Sequence, residues 1–159
     1  MSRYLMDKYQ PLVAYTPGEQ PRDMQYVKLN TNENPYPPVP GVTEAVMAEA
    51  GRLELYSDPV CIDLRDALAA RYGVARQNVF VSNGSDDILN FAFMSFGSPR
   101  AYFPDISYGF YPVYAELYGI EAHPIPLRED FSIDPTDYMG LDGFIAIANP
   151  NAPTGMALT

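Results

Sequence analysis

Apolar positions along the chain come in short runs set apart by proline, glycine and asparagine, and their spacing switches between two residues and about 3.6. Residues 1–25 show neither period and are punctuated by Pro11, Pro17 and Pro21, which predicts an extended arm. Val27-Lys28-Leu29 predicts a brief extended piece. The next stretch, Asn30-Thr31-Asn32-Glu33-Asn34-Pro35-Tyr36-Pro37-Pro38-Val39-Pro40, is a loop, because its prolines fix φ and remove backbone donors. Residues 43–50 predict a short helix closed by Gly51. Cys61, Leu64, Leu68 and Tyr72 recur at helical spacing, so a second helix is expected over 61–72, with Gly73 in the C′ position.

Val79-Phe80-Val81 has the composition of a buried strand. Ser82-Asn83-Gly84-Ser85 supplies turn formers, and from Asp86 onward the residues suit a helix. Residues 88–96 are apolar almost all round, the pattern of a helix buried on most sides. Residues 100–103 predict a strand stopped by Pro104-Asp105. A helix over 107–118 would place Tyr108, Tyr111, Tyr114 (or Ala115) and Tyr118 on one broad face, with Pro112 tolerable only if the helix proper begins near Gly109. Residues 120–127 predict a strand that Pro124 and Pro126 push toward a sheet edge. Residues 128–138 are a polar turn region with about one helical turn. Gly143-Phe144-Ile145-Ala146-Ile147-Ala148 is the most apolar strand, expected to be central and parallel.

This alternation predicts an α/β fold with helices covering a largely parallel sheet. Ligands in such sheets sit beyond the carboxyl ends of the strands. Three loops fall there: 82–85, 104–108 and 149–155. The first of them, alone, favours a plain strand-to-helix turn capped by Ser82 or Asn83 over a phosphate cradle at the positive end of a helix, because short Gly/Ser turns are common. Asp86 and Asp87 argue for the plain turn, since carboxylates repel phosphate. The convergence of three loops rich in turn glycines, amides and a tyrosine favours the cradle.

Composition narrows the field. A chain of 159 residues with 47% apolar content has the size of one globular domain. A net charge of −10 and a pI near 4.3 argue against nucleic acid and anionic membrane surfaces as partners. No apolar run reaches the length of a membrane span, and Met1-Ser2-Arg3-Tyr4 opens no signal-peptide core, so a cytoplasmic location is expected. Cys61 is the sole cysteine and excludes an internal disulfide or a cysteine-rich zinc site. The sole histidine, His123, reads as a surface or packing residue on an edge strand, and no metal site is expected.

Asn149-Pro150-Asn151-Ala152-Pro153-Thr154-Gly155 resembles the Asn-Pro-x-x-Pro-Thr-Gly loop of pyridoxal-phosphate aminotransferases of the aspartate-aminotransferase fold. It follows Leu29-Asn30-Thr31-Asn32-Glu33-Asn34-Pro35, Tyr56-Ser57-Asp58-Pro59, Ser82-Asn83-Gly84-Ser85-Asp86-Asp87 and Pro104-Asp105-Ile106-Ser107-Tyr108-Gly109-Phe110-Tyr111. In that order and spacing the set resembles the histidinol-phosphate aminotransferases, from about Val27 to the last residue, over the first part of that family's usual length. The resemblance implies a three-layer α/β/α architecture, the amino-terminal part of the large domain of a fold-type I enzyme. Residues 1–40 would form an arm and substrate-side loop, and 41–159 the first, incomplete part of the cofactor domain.

The resemblance also implies roles. The backbone at Gly84, Ser85 and Asp86 would bind the phosphate of pyridoxal 5′-phosphate, and Tyr108 would stack on its ring, the alternative being a core tyrosine. Tyr56 would reach the cofactor phosphate of a neighbouring subunit in a homodimer, and Asn32 would lie near substrate. The family's asparagine before Pro-Thr-Gly, which bonds the ring hydroxyl, is Ala152 here, and the adjacent Asn151 would take that role. The implied activity moves the amino group of L-histidinol phosphate to 2-oxoglutarate, in histidine biosynthesis. Alternatives are an aromatic aminotransferase, a threonine-phosphate decarboxylase, or a non-catalytic unit that binds a phosphate-bearing ligand. The Schiff-base lysine is expected beyond Thr159, because Lys8 and Lys28 are the only lysines and match no motif. A truncated amino-terminal part of an aminotransferase is therefore expected, with a natural short protein as the alternative.

Overall fold

The computed structural model describes residues 3–13, 18–20, 22, 26–97 and 99–158. Met1, Ser2, Pro17, Pro21 and Thr159, cited above, lie outside the described residues. The chain forms two compact units, one of Met1–Thr16 with Ser82–Thr159, the other Pro17–Val81.

The Pro17–Val81 unit holds helices α1 (Val42–Ala50) and α2 (Ile62–Tyr72), followed by a 3-10 turn at Arg76–Asn78. Asp58 opens α2. Its carboxylate accepts from the amides of Val60 at 3.0 Å and Ile62 at 2.6 Å, and these bonds hold its pKa below the ordinary carboxylate value. Gly73 ends α2 in the left-handed region, as its C′ position predicts. The strand expected over 79–81 does not form. Val79 donates to the Arg76 carbonyl and its own carbonyl accepts from Arg65 Nε at 2.9 Å, so its backbone closes a turn and binds a guanidinium instead of a neighbouring strand.

The other unit is built on a parallel sheet of β1 (Arg100–Pro104), β2 (Glu121–Ile125) and β3 (Phe144–Ile145), in the order β2-β1-β3. Side chains of β1 alternate between its two faces. Ala101 and Phe103 pack with Phe93 of α3 (Ser85–Phe96) and with Tyr111, Tyr114 and Ala115 of α4 (Tyr111–Tyr118). Tyr102 turns the other way, onto Ile133 and Tyr138. Both faces are covered, which is why β1 is buried from Ala101 to Pro104 without polar alternation. β2 lies at the edge as its prolines predict, and Pro135–Tyr138 supplies the single helical turn expected in the polar stretch.

Three further expectations need correction. β1, not β3, is the central strand of this sheet. β3 is parallel, but it has only two residues and pairs with β1 alone among the described residues. Gly143 lets it approach, since a Cβ there would fall 2.7 Å from the Arg100 carbonyl oxygen and from the Tyr102 ring. The helix expected over 107–118 begins only at Tyr111, which puts Pro112 in the first turn, where a missing N–H costs nothing. Residues 107–110 are therefore loop. Finally, α3 buries one residue, Phe93, while Met94 and Phe96 stay 54% and 74% exposed.

Candidate functional site

All three loops expected at the carboxyl ends of the strands belong to the unit that contains the sheet, and side-chain hydrogen bonds join them. Gly84 is the N-cap of α3 at φ 83 and ψ 173, a backbone region that only glycine occupies without strain. The capping role considered for Ser82 or Asn83 passes to this glycine, and no side chain caps the helix. The amides at the start of a helix have no partner within it, so Ser85 and Asp86 present donors at the positive end of a 12-residue helix. Those donors suit the oxygens of a phosphate.

The carboxylates beside them are engaged. Asp86 Oδ1 accepts from the Tyr108 hydroxyl, and Asp87 Oδ2 accepts from Ser82 Oγ at 3.0 Å. Tyr114 adds a bond from below, its hydroxyl donating to the Asp86 carbonyl at 3.1 Å. Burial, with Asp86 and Asp87 adding negative charge nearby, pushes the Tyr114 hydroxyl up to about 12.

Tyr108 follows Pro104-Asp105-Ile106-Ser107 and stands in the loop before α4, half-buried. Its ring stacks on Phe110, with centroids 5.8 Å apart, and meets Tyr111 edge-on. It thus has one side packed on the aromatic core and its hydroxyl directed to the start of α3.

Asn151 is fully enclosed. Its amide is turned inward, to Ser107, to the Ile106 carbonyl and to Thr154, rather than outward toward a ligand. Ala152, beside it, has no side-chain polar group. Ser107 has no assigned role in the sequence reading, although it directly precedes Tyr108 and so could have been marked by position. Tyr56 and Asn32 belong to the other unit. Tyr56 is wholly exposed, beside a cavity of about 300 Å³ lined also by Glu49, Arg52, Leu53, Leu55 and Ser57. Asn32 is exposed at φ 53 and borders a cavity of about 270 Å³ with Lys28 and Glu33, which form an ion pair. Among the described residues no group of three or more histidine, cysteine or acidic side chains is placed to hold a metal, and no helix is long and apolar enough to cross a membrane.

The sequence profile of the aminotransferase class I and II family matches residues 24–159. The chain is 50% identical over 157 residues to the histidinol-phosphate aminotransferase of Clostridium acetobutylicum, covering 97% of this chain and 45% of that one. It is 49% identical over 162 residues to the enzyme of that name from Brachyspira hyodysenteriae, covering 100% and 46%. It is 53% identical over 163 residues to that from a Marinomonas species, covering 99% and 46%. The chain thus spans about half the length of the curated relatives it matches. A crystal structure from Erwinia carotovora atroseptica, of a protein assigned as a histidinol-phosphate aminotransferase, superposes with a TM-score of 0.73 at 21% identity, over 81% of this chain and 40% of its own. A second, from Burkholderia pseudomallei and assigned as an aminotransferase, gives 0.67 at 27%, over 81% and 41%. These structural likenesses agree with the α/β architecture built around β1, and the profile spans the glycine turn, the tyrosine loop and the Pro-Thr-Gly loop together. This chain belongs to the aminotransferase class I and II family.

Proposed function

We propose that the full-length protein is a pyridoxal-phosphate-dependent aminotransferase that moves the amino group of L-histidinol phosphate to 2-oxoglutarate, in histidine biosynthesis. One observation carries this reading: identity of 49% to 53% with three proteins of that name, sustained over nearly the whole of this chain. The reading includes a cytoplasmic homodimer, with residues 1–40 as arm and substrate-side loop and 41–159 as the first part of the cofactor domain.

The residues at the start of α3 fit the cofactor's phosphate, because the site offers backbone donors at a helix N-terminus and a glycine backbone. When bound, pyridoxal phosphate supplies an electron-withdrawing ring that takes up the charge left when a substrate loses its α-proton. In this account Gly84, Ser85 and Asp86 hold the phosphate through their backbone, and Tyr108 covers one face of the ring and excludes water from it. Tyr56 reaches the phosphate site of the neighbouring subunit, and Asn32 orients substrate. The lysine that bonds the cofactor and carries protons lies outside these 159 residues, whose lysines are Lys8 and Lys28.

The test is an assay of the full-length protein, with pyridoxal phosphate and 2-oxoglutarate, against L-histidinol phosphate, phenylalanine and threonine phosphate. A clear preference for histidinol phosphate is expected. A preference for either other substrate overturns the substrate assignment, and no amino transfer at all overturns the enzymatic reading.

A further inference from the structure

Asn151 stands out among the described residues as a polar side chain with 0% exposure. Its Oδ1 accepts from Ser107 Oγ at 2.6 Å, and its Nδ2 donates to the Ile106 carbonyl at 2.9 Å and to Thr154 Oγ1 at 3.2 Å. Its backbone closes the loop on itself. The Asn151 amide donates to the Met156 carbonyl at 2.7 Å, and the Asn151 carbonyl accepts from the Gly155 amide at 2.7 Å. An enclosed amide is costly unless it is paired, and the bonds to Ser107 and Ile106 exist only while the tyrosine loop and the Pro-Thr-Gly loop stand in this mutual position. Neither loop has regular secondary structure of its own to fix it.

We propose that Ser107 and Asn151 form a clamp that positions Tyr108. The two residues are 44 positions apart in sequence, and Tyr108 is the next residue after Ser107. Fixing the serine hydroxyl therefore fixes the backbone from which the tyrosine ring projects, and the ring in turn reaches Asp86 at the start of α3. Both are positioning residues: Asn151 acts through the loop, with its amide committed inside the protein. What the clamp positions rests on the cofactor reading above, whereas the clamp itself does not.

The experiment compares unaltered full-length protein with Ser107→Ala and Ser107→Thr, measuring backbone hydrogen exchange without cofactor, thermal unfolding, and the dissociation constant for pyridoxal phosphate by absorbance titration. Ser107→Ala is expected to speed exchange at the Asn151 and Gly155 amides and to weaken cofactor binding by about three- to tenfold, the effect of one such hydrogen bond. Ser107→Thr, which keeps the hydroxyl, is expected to restore both. Unchanged exchange in Ser107→Ala overturns the clamp. A lower unfolding temperature with unchanged cofactor affinity overturns the positioning role, and failure of Ser107→Thr to rescue shows that the hydroxyl is not the acting group. Should the unaltered protein bind no pyridoxal phosphate, the functional reading falls, and the exchange rates alone carry or overturn the clamp.

Discussion

The Tyr108 hydroxyl donates to Asp86 Oδ1 across 22 positions of sequence, tying the loop before α4 to the first turn of α3. This bond fixes where the Asp86 carboxylate lies, while the carboxylate keeps its charge. One carboxylate accepts from the Tyr108 hydroxyl and the other from Ser82, so both are held by side chains at the start of α3.

The ring and the hydroxyl of Tyr108 have separable roles. Tyr108→Phe keeps the stacking surface and loses only the bond to Asp86, so cofactor affinity in the full-length protein should fall about threefold. Tyr108→Ala loses the ring as well and should fall by tenfold or more, on the order of the energy of one aromatic contact plus its buried area. Absorbance titration with pyridoxal phosphate measures both. Equal losses in the two variants would show that stacking contributes nothing.

Gly84 is the second point of leverage. At φ 83 and ψ 173 an alanine is strained although its Cβ would meet nothing within 4 Å. Gly84→Ala should therefore cost about 1–3 kcal/mol of stability through the backbone alone. The thermal unfolding of the full-length variant checks this, and an unchanged midpoint would show that the turn relaxes freely.

Much of this arrangement is legible in the sequence where the signal is local. Gly73 ends its helix in the left-handed conformation, and Pro124 sits on an edge strand, because each effect depends on a single residue's backbone. The misreadings arise where a partner decides. Val79-Phe80-Val81 has strand composition, but Arg65 and Arg76 take up the Val79 backbone. Residues 88–96 are apolar enough for burial on every side, yet Phe93 is the one residue of α3 that is buried among the described residues, and Phe91, Met94 and Phe96 remain exposed. Likewise the Tyr108 stripe continues a helical spacing that the chain does not adopt until Tyr111. The clamp was hidden for another reason: the pairing of Ser107 with Asn151 spans 44 positions, and no periodicity reports it.

Buried tyrosines set an alkaline limit. The hydroxyls of Tyr114 and Tyr138 are each pushed up to about 12, chiefly by burial and then by nearby carboxylates, from an ordinary value of 10.0. A raised value in the folded state means that the unfolded chain gives up these protons first. Their contribution to stability is therefore complete below pH 10.0 and is lost as pH rises toward about 12. The denaturation midpoint of the full-length protein should fall across that window. In Tyr114→Phe/Tyr138→Phe the fall should be shallower. Among the described residues the buried Tyr138 hydroxyl has no hydrogen-bond partner, so Tyr138→Phe alone should be neutral or stabilising at neutral pH. An equally steep alkaline fall in the double variant would contradict this assignment.

The start of α3 is the proposed seat of a cofactor phosphate, and the most direct measurement compares pyridoxal phosphate with pyridoxal, which lacks that phosphate, as ligands of the full-length protein. The phosphate ester should bind at least about a hundredfold tighter, since several amide donors and the helix dipole act on it together. In Gly84→Ala, whose altered turn misplaces those amides, the ratio should shrink. Equal affinity for the two compounds in the unaltered protein, or a ratio indifferent to Gly84→Ala, would contradict the placement of the phosphate at Gly84, Ser85 and Asp86.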